Sequence, residues 1–474
     1  ARAAGRDGGA SSPALNYIVA DYPWADFNFF HSFRSATGRN IAAEWEYPAR
    51  FPGYLFWNWL PGNREFGYGD TPHADNALRL SLTHLLQTLH FYGKSHPEQA
   101  ALVQWMLPRT GPERRLPFPV TPLLLTEAQP VQDAPEPRGM PLARHFESMG
   151  QVFFRSGSGP DDTYAMFAGG GNSRQHKHFD SNSFVLFKHG YLALDTGTRP
   201  QPGLHLSHYY ARTAAHNAIL IRMPGEQMPP YWGGRAPEEE DVPPPNDGGQ
   251  RLQTGSRVVA FETRPEYAYA AGDATATYHP DKCRLALRQF VFVAPDYFIV
   301  FDRVEAVRAE YPKTWLLHTA EEPKITEGAF TAESGGGRLF CRTLAPERAL
   351  TVKIGGPGKQ FWADGRNWPL PKNYRVPETN PLLGQWHVAV SPAEPREADV
   401  FLHFMQASGA QGTPAPASLL REEGRLGVRF RAGARTWEVA FGTSGPASGR
   451  IRAVEDGRVI LERDLAAGIA PPAN

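Results

Sequence analysis

The chain has 474 residues and balances 49 basic against 49 acidic side chains, so its formal net charge is zero. This balance excludes a global positive field that would recruit a polyanion, and any acidic ligand must be held by a local cluster of side chains. At this length two or three domains are expected. Neither nucleic acid nor a membrane is an expected partner.

Two cysteines occur, Cys283 and Cys341, and they lie far apart in the sequence. They allow one bridge and exclude a disulfide framework. The sequence shows no apolar run of membrane-spanning length and no basic-then-apolar leader at its start. We therefore expect a protein in solution, periplasmic or secreted, whose signal has already been removed.

Residues 1–107 are predicted to be helical and rich in aromatic side chains. A first segment opens at Ser12, an N-cap followed by proline at the first helical position, and ends at Thr37 before a glycine. A stripe of leucines predicts a second helix over residues 75–92, and a third helix is predicted over residues 98–106.

The stretch between the first two helices, residues 51–70, is rich in Trp, Gly and Pro and is predicted to be irregular. Trp57, Trp59 and Tyr68 are candidates for rings that line a sugar-binding cleft. Ring-filled loops also arise from plain packing, so both interpretations stay open.

A high density of proline predicts that residues 108–144 form a linker without regular structure. The apolar period then changes to that of strands, which predicts a β-sandwich over residues 145–390. The predicted strands cover residues 151–154, 164–167, 183–194, 218–221, 257–261, 283–293 and 297–304, with a Pro-containing hairpin turn at 294–296.

A last group of strands is predicted at residues 400–404, 426–430, 436–441 and 459–462. It forms either a small C-terminal sheet domain over residues 391–474 or the far edge of the same sandwich. The expected fold class is α+β with several domains: helices first, then an antiparallel β-sandwich and a small C-terminal β domain. The segment 223–250, rich in proline and acidic residues, is either a loop over a cleft or a surface insertion.

Residues 172–195 carry potential metal ligands around a predicted β-hairpin. His176 and His178 stand two apart ahead of the first strand, and the return strand ends on Asp195. A third apolar segment, preceded by His216, could lie beside these two strands. Imidazole and carboxylate are the usual ligands of zinc and similar ions, and three protein ligands leave a position for water or substrate. The pattern predicts a metal site.

Each of these residues also has a plainer interpretation. A His-x-His pair commonly marks the polar face of a strand, and Asp195 before Thr-Gly suits the start of a turn. Counting from the hairpin turn places Asp195 opposite Ser183. His178 must therefore lie in a loop that curls back if the site is to form.

Four ordered motifs resemble the heparinase II/III family of polysaccharide lyases: QHKHFD at 175–180, GYLALDTG at 190–197, YYARTAAHN at 209–217 and NDGGQ at 246–250. The resemblance implies that His178, Asp195 and His216 hold a divalent metal ion, usually zinc, with a mainly structural role. It places His176 at the family's catalytic histidine.

The resemblance also implies an (α/α) toroid followed by antiparallel β-sheets. The family's toroid is much longer than 107 residues, so this chain would hold only its last few helices. We find no counterpart of the Asn, Gln or His with which the family neutralises the substrate carboxylate. Relatives are often dimers, so a homodimer is an expectation from the resemblance alone.

The chemistry implied by the resemblance is β-elimination at a uronic acid, in which a base removes the C5 proton and the glycosidic oxygen leaves from C4. The neighbouring carboxylate must be neutralised for this proton to become acidic enough. His176 is the expected histidine, and a tyrosine serves as base and acid. Tyr17 and Tyr22 are the candidates in the helical region, and Tyr209 or Tyr210 is a candidate for a second active-site hydroxyl.

The residues expected to contact substrate are Arg174, Gln175, Arg212, Trp57 and Trp59. Heparin or heparan sulfate is the first substrate expected, while relatives also handle chondroitin, hyaluronan, alginate and ulvan. Two alternatives stay open: a uronate C5-epimerase, which begins with the same proton abstraction, and a non-catalytic polysaccharide-binding protein. A hydrolytic zinc enzyme is a further alternative, since three ligands with an open position could activate water.

Overall fold

The computed structural model describes residues 7–9, 23–70, 82–109, 135, 139–171, 176–199, 203–231, 242–372 and 374–470. The chain divides into two compact units. The first comprises Ala1–Met140, Phe146–Gly150 and Gly171–Lys177, and the second comprises Pro141–His145, Gln151–Gly170 and His178–Asn474. His176 therefore belongs to the first unit and His178 to the second.

The described part of the first unit is mainly helical. Its elements are α1 (Pro23–Thr37), α2 (Glu46–Trp57), the short strands β1 (Trp59–Leu60) and β2 (Arg64–Glu65), α3 (Leu82–Tyr92) and α4 (Pro97–Met106). The predicted ends of the three helical segments are confirmed. Helix α1 stops at Thr37 because Gly38 takes up a left-handed backbone (φ 71°), which glycine adopts without strain. Residues 12–22 and 75–81 of the predicted helices lie outside the described part.

The prediction of an irregular stretch over residues 51–70 is wrong at its start, because α2 extends through Trp57. Pro52 lies inside this helix, where it removes a backbone donor and usually breaks the helix. Tertiary packing outweighs this cost, since Tyr54 and Leu55 on the same helix are both 0% exposed.

The second unit consists mainly of antiparallel strands. Its first sheet contains, in order, β3 (Ala143–Phe146), β4 (Gln151–Arg155), β5 (Tyr164–Ala168), β6 (Phe184–Phe187) and β7 (Tyr191–Ala193). The strands that follow are β8 (Ile219–Ile221), β9 (Arg257–Thr263), β10 (Tyr267–Asp273), β11 (Cys283–Val293), β12 (Tyr297–Ala306), β13 (Lys313–Thr319), β14 (Lys324–Thr326), β15 (Ala329–Ser334), β16 (Gly337–Ala345), β17 (Ala349–Gly355), β18 (Trp362–Ala363), β19 (Arg366–Asn367), β20 (Trp386–Pro392), β21 (Ala398–Gly409), β22 (Ala417–Glu422), β23 (Arg425–Ala432), β24 (Arg435–Gly442), β25 (Gly449–Glu455) and β26 (Arg458–Asp464).

These strands form layers around an eight-stranded sheet with the order β14-β15-β16-β21-β12-β11-β10-β9. A four-stranded sheet has the order β17-β20-β13-β8, and a C-terminal sheet runs from β22 to β26. Along β11, Phe290 and Phe292 face a core shared with β4 to β7 and the four-stranded sheet, while Val291 and Val293 face a core shared with the C-terminal sheet. The predicted antiparallel β-sandwich is confirmed.

The predicted partner of the strand after His216 is wrong. Strand β8 pairs with β13, where Ile219 lies opposite Trp315, and not with the hairpin strands β6 and β7. A three-residue apolar strand buried in a core has no alternation that would specify its neighbour, so its own sequence could not identify the partner.

The C-terminal region combines the two alternatives left open by the sequence. Strand β21 lies between β16 and β12 in the eight-stranded sheet, so the boundary predicted at residue 391 falls inside the sandwich. The separate C-terminal sheet begins at β22, and its inner face packs on the sandwich through a shared core.

Cys283 and Cys341 are both free and buried, so the bridge that the sequence allows is not formed. Burial raises the pKa of the Cys283 thiol to about 12, which makes it unreactive near neutral pH. Among the described helices, none has the length and apolar character needed to cross a membrane.

Acid should destabilise the second unit partly through His403 on β21. This ring stacks on Trp315 with 3.8 Å between centroids, and burial lowers its pKa to about 3, with a further contribution from Arg288. Because the folded state holds the imidazole neutral, its contribution is present above the unfolded pKa and is lost as pH falls from about 6.5 towards 3. In His403→Phe, we expect the slope of unfolding free energy against pH between about 6.5 and 5 to be shallower by about 1 kcal/mol per pH unit. Denaturant titrations at several pH values measure this slope, and equal slopes in the two proteins would contradict the assignment.

Candidate functional site

The structure brings together the three residues predicted to hold a metal ion. His178 lies in the loop before β6, Asp195 follows β7 and His216 precedes β8. His216 Nδ1 lies 3.1 Å from Asp195 Oδ1, and the ring centroids of His178 and His216 are 5.2 Å apart. Each of the three residues is at most 3% exposed. The loop before β6 curls back as the hairpin register requires, and Phe179 N in it donates to Ala211 O at 3.0 Å.

This His178–Asp195–His216 cluster has the donor chemistry of a divalent-metal site. Two imidazoles and one carboxylate form a set that zinc commonly takes. Both ring nitrogens of His216 are buried and make no hydrogen bond among the described residues, although Nδ1 faces Asp195, an arrangement that is costly unless something binds there. Within that same part of the chain, no three His, Cys, Asp or Glu side chains are arranged to surround one ion. The residues fit the metal in type and burial, and the bound metal stays a prediction.

Negative charge converges on the cluster. Burial is the largest single influence and lowers the pKa of His216, but the nearby carboxylates of Asp195, Asp180 and Asp247 together outweigh it, so the net shift is upward. The carboxylates that favour a protonated imidazole also favour a bound cation at the same point.

His176 forms a separate arrangement with Asp70, within the first unit. Its Nδ1 lies 2.6 Å from Asp70 Oδ2, and the side chains are 15% and 0% exposed respectively. A carboxylate only accepts hydrogen bonds, so Nδ1 carries the proton of this contact and Nε2 is the ring nitrogen left to take up or release a proton. The His176 backbone is left-handed (φ 56°), which is uncommon for a residue with a side chain. The His176–Asp70 pair thus presents an imidazole in one tautomer, as general acid–base catalysis requires.

The NDGGQ motif holds in place the two loops that carry the cluster. Gln250 is 0% exposed; its amide accepts from Ser181 N at 3.0 Å and donates to Ser181 O at 2.7 Å, in the loop before β6. Asp247 accepts from Ala214 N at 3.2 Å, in the turn before β8. Side chains of one short motif therefore bind the backbone on both sides of the cluster.

The two tyrosines of the third motif are buried beside the cluster. Tyr209 Oη lies 2.6 Å from Thr196 Oγ1, and burial raises its pKa. The Tyr210 ring contacts His178 edge to face, with centroids 4.7 Å apart. Their predicted role as active-site hydroxyls stays a prediction.

Arg212 is also an interior residue, although it was predicted to contact substrate. It is 0% exposed, donates to Pro229 O at 2.8 Å and places Nη2 3.6 Å from Asp247 Oδ1. Its guanidinium lies over the Phe179 ring at 4.6 Å. These contacts fix it within the protein, and any contact with substrate stays a prediction.

The tryptophans predicted to stack on sugar are buried instead. Trp57 and Trp59 are 3% and 2% exposed, and Tyr68 is 3% exposed, so their rings do not face solvent. Of the two interpretations of these rings, packing is the one that the structure supports. Four further candidates lie outside the described residues: Tyr17, Tyr22, Arg174 and Gln175.

Sequence reasoning missed Asp70, because a lone aspartate after glycine is typical of a turn. Only the fold shows that it meets a histidine 106 positions later. The role of Gln250 was missed for a different reason: its motif was recognised, but nothing in the motif says which backbone its amide binds.

Replacement of Gln250 by methionine should destabilise the second unit by about 2 kcal/mol or more, because the Ser181 backbone groups lose their partner while staying buried. Gln411→Met provides the control, since that side chain is exposed, and its effect should be within about 0.5 kcal/mol. Denaturant unfolding measures both changes. Equal stabilities of the two variants would show that Gln250 does not hold this loop.

Residues 139–361 match the family model described as Heparinase II/III-like, C-terminal. Three solved structures are similar: heparan sulfate lyase HepC from Pedobacter heparinus (14% identity, TM-score 0.60, 94% of this chain and 60% of that one), a heparinase III gene product (12%, 0.57, 96% and 59%) and a heparinase III (11%, 0.58, 98% and 61%).

At these identities the similarity shows the fold, and the chain spans about three-fifths of the length of each of these proteins, at 59–61%. No curated protein sequence matches this one. The family match covers all four sequence motifs within one continuous segment. The match confirms the resemblance drawn from those motifs over residues 139–361, which are similar to the heparinase II/III-like C-terminal domain.

Proposed function

We propose that this protein is a polysaccharide lyase that cleaves a uronic-acid-containing polysaccharide by β-elimination. The observation that carries the proposal is the His176–Asp70 pair, with Nδ1 2.6 Å from a fully buried carboxylate, at the position of the family's catalytic histidine. Support comes from the heparinase II/III-like domain and from the shared fold with a heparan sulfate lyase.

The reaction requires a base at C5 and an acid at the glycosidic oxygen. In the proposal, one active-site group takes the C5 proton, the electron pair forms the C4–C5 double bond, and the C4–O bond breaks as that oxygen gains a proton. His176 Nε2 has the lone pair needed to accept a proton, while Asp70 stabilises the imidazolium that results. A tyrosine hydroxyl is the proposed second group, with Tyr17, Tyr22, Tyr209 and Tyr210 as candidates.

His178, Asp195 and His216 are the proposed ligands of a divalent metal ion, most simply zinc. When bound, the metal would neutralise the Asp195 carboxylate and fix the imidazoles of His178 and His216. This contribution is structural. Since His178 follows His176 by two residues, holding it also restricts the backbone from which the catalytic imidazole projects. No step of the reaction is assigned to the metal.

The finer proposal concerns the substrate. Heparin or heparan sulfate is the first choice, because a similar structure is that of a heparan sulfate lyase. The chain has no net charge with which to attract a polyanion, so local cations must bind it. Arg199 and Arg222 are candidates, since a guanidinium can bind a carboxylate or sulfate bidentately, and the Arg222 side chain is 55% exposed while pairing with Asp364.

A uronate C5-epimerase is the second candidate function, because it would use the same base. It differs in returning a proton to C5 instead of expelling the C4 oxygen. Incubation in deuterium oxide separates the two: an epimerase places deuterium at C5 of an intact chain, whereas a lyase produces shorter chains that absorb ultraviolet light.

Replacing His176 by asparagine should lower lyase activity by about 100-fold or more, since the proton-transfer group is lost. Asparagine tolerates left-handed backbone and its amide can still donate to Asp70, so the fold should be retained. His189→Asn is a matched control, because His189 also has a left-handed backbone (φ 58°). The measurement is ultraviolet absorbance of unsaturated product from heparin, heparan sulfate, chondroitin, hyaluronan, alginate and ulvan. Full activity of His176→Asn would refute the assigned role.

Asp70→Asn should lower kcat by about 10-fold or more with little change in KM, because the amide can donate to Nδ1 and select the wrong tautomer. The matched control is Asp161→Asn, since Asp161 lies 3.6 Å from His189 Nε2 and its side chain is 89% exposed. Steady-state rates on the best polymer of the panel measure both. A kcat equal to that of the unchanged protein would show that Asp70 does not orient His176.

A further inference from the structure

A buried arginine lies at the centre of the second unit, close to the chain segments of the cluster. Arg288 on β11 is 0% exposed and lies opposite Asp302 on β12 in the strand register. Its Nε and Nη2 donate to the two oxygens of Asp302 at 2.7 and 3.1 Å. The pair is bidentate and wholly enclosed, since Asp302 is only 2% exposed.

The remaining arm of this guanidinium binds the backbone of both cluster loops. Nη1 donates to Asn182 O and to Asn217 O, each at 2.6 Å. Asn182 lies four residues after His178, and Asn217 immediately follows His216. One nitrogen therefore sets the separation between the two loops.

Through Asn217, Arg288 is also connected to the third segment of the cluster, which carries Asp195. The Asn217 side chain donates to Phe184 O at 2.7 Å and to Leu194 O at 3.3 Å, and Leu194 directly precedes Asp195. Its Oδ1 accepts from His318 N at 2.7 Å. All three segments that carry the proposed ligands are thus tied, directly or through one side chain, to Arg288.

Stability alone does not account for such a pair. Removing two charges from water is expensive, and apolar residues of similar volume often replace a buried ion pair without loss of stability. What apolar residues cannot supply is a donor that holds two carbonyl oxygens at a fixed separation. A charged donor also forms shorter and stronger hydrogen bonds than a neutral one.

We propose that Arg288 is a positioning residue for the metal cluster: it sets the spacing of the loops that bear His178, Asp195 and His216 and thereby the affinity for a divalent cation. Asp302 orients the guanidinium and neutralises it. This inference rests on the ligand set of the proposed function, but its test requires no substrate.

The test uses Arg288→Met combined with Asp302→Leu, which removes both charges together and leaves neither one unpaired. In the metal-free state the melting temperature should fall somewhat, because the carbonyls of Asn182 and Asn217 stay buried without their donor, so zinc affinity and not stability is the deciding readout. Zinc affinity, measured by competition with a chromogenic chelator, should fall by about 10-fold or more, as for other residues that orient metal ligands. The increase in melting temperature on adding zinc should shrink in parallel.

The matched control is Lys313→Met combined with Asp399→Leu. These side chains form another buried ion pair of the same unit, 2.9 Å apart and 2% and 5% exposed. Lys313 donates to Arg396 O, away from the cluster loops. Zinc affinity should be unchanged in this control, whatever its effect on the melting temperature. A merely structural role of Arg288 would make the two double variants behave alike.

Arg288→Lys serves if the double variant does not fold. Lysine keeps the charge opposite Asp302 but has no planar fork with which to reach both carbonyls, so zinc affinity should again fall. Unchanged zinc affinity in the folded double variant, or in Arg288→Lys if only that folds, would overturn the proposal. An unchanged protein that binds no divalent ion would overturn it together with the proposed ligand set. Zinc binding without any lyase product would contradict the proposed reaction alone.

Discussion

The guanidinium of Arg288 and the amide of Gln250 hold together loops that are distant in sequence. Arg288 binds the carbonyls of Asn182 and Asn217, and Gln250 binds both backbone groups of Ser181. Backbone groups in buried loops need partners as much as those in strands, and here side chains supply them. The positions of His178 and His216 follow from this network, because each lies within four residues of a backbone group that it holds.

The proposed chemistry separates positioning from proton transfer. The cluster of His178, Asp195 and His216 is buried and acidic in its surroundings, which suits a cation that orders loops. The pair of His176 and Asp70 instead leaves part of the imidazole exposed and fixes its tautomer. The two histidines of the His-x-His motif can divide these tasks, because the buried ring of His178 anchors the loop while the ring of His176 stays partly accessible.

The sequence predicted those elements whose own residues specify them. Strand β11 matches its predicted range because it is covered on both faces and ends in a continuous apolar run, Phe290 to Val293. The helices that end at Thr37 and Tyr92 are each followed immediately by glycine. The partner of β8, the helical state of the segment around Pro52 and the placement of β21 depend on contacts between distant residues. The propensity of a residue for helix or strand does not depend on such contacts, so it cannot predict them.

In the candidate site, too, residue types and motifs could be predicted from the sequence, whereas burial and long-range contacts could not. Potential ligands were identified from residue type and motif order, and the fold brings them together as that interpretation requires. Burial cannot be predicted from residue type alone: Trp57 and Trp59 suited either packing or a sugar contact, Arg212 suited a substrate contact, and each is at most 3% exposed. Asp70 and Arg288 could not be identified from the sequence, because each binds residues that are distant from it in the chain.

Anomalous diffraction at the zinc absorption edge, from crystals of the protein loaded with one equivalent of zinc, tests the central claim most directly. The account predicts one strong peak with His178, Asp195 and His216 as ligands, at about 2.0–2.2 Å from their nitrogen and oxygen atoms. A peak at other residues, or none despite bound zinc in solution, would contradict it.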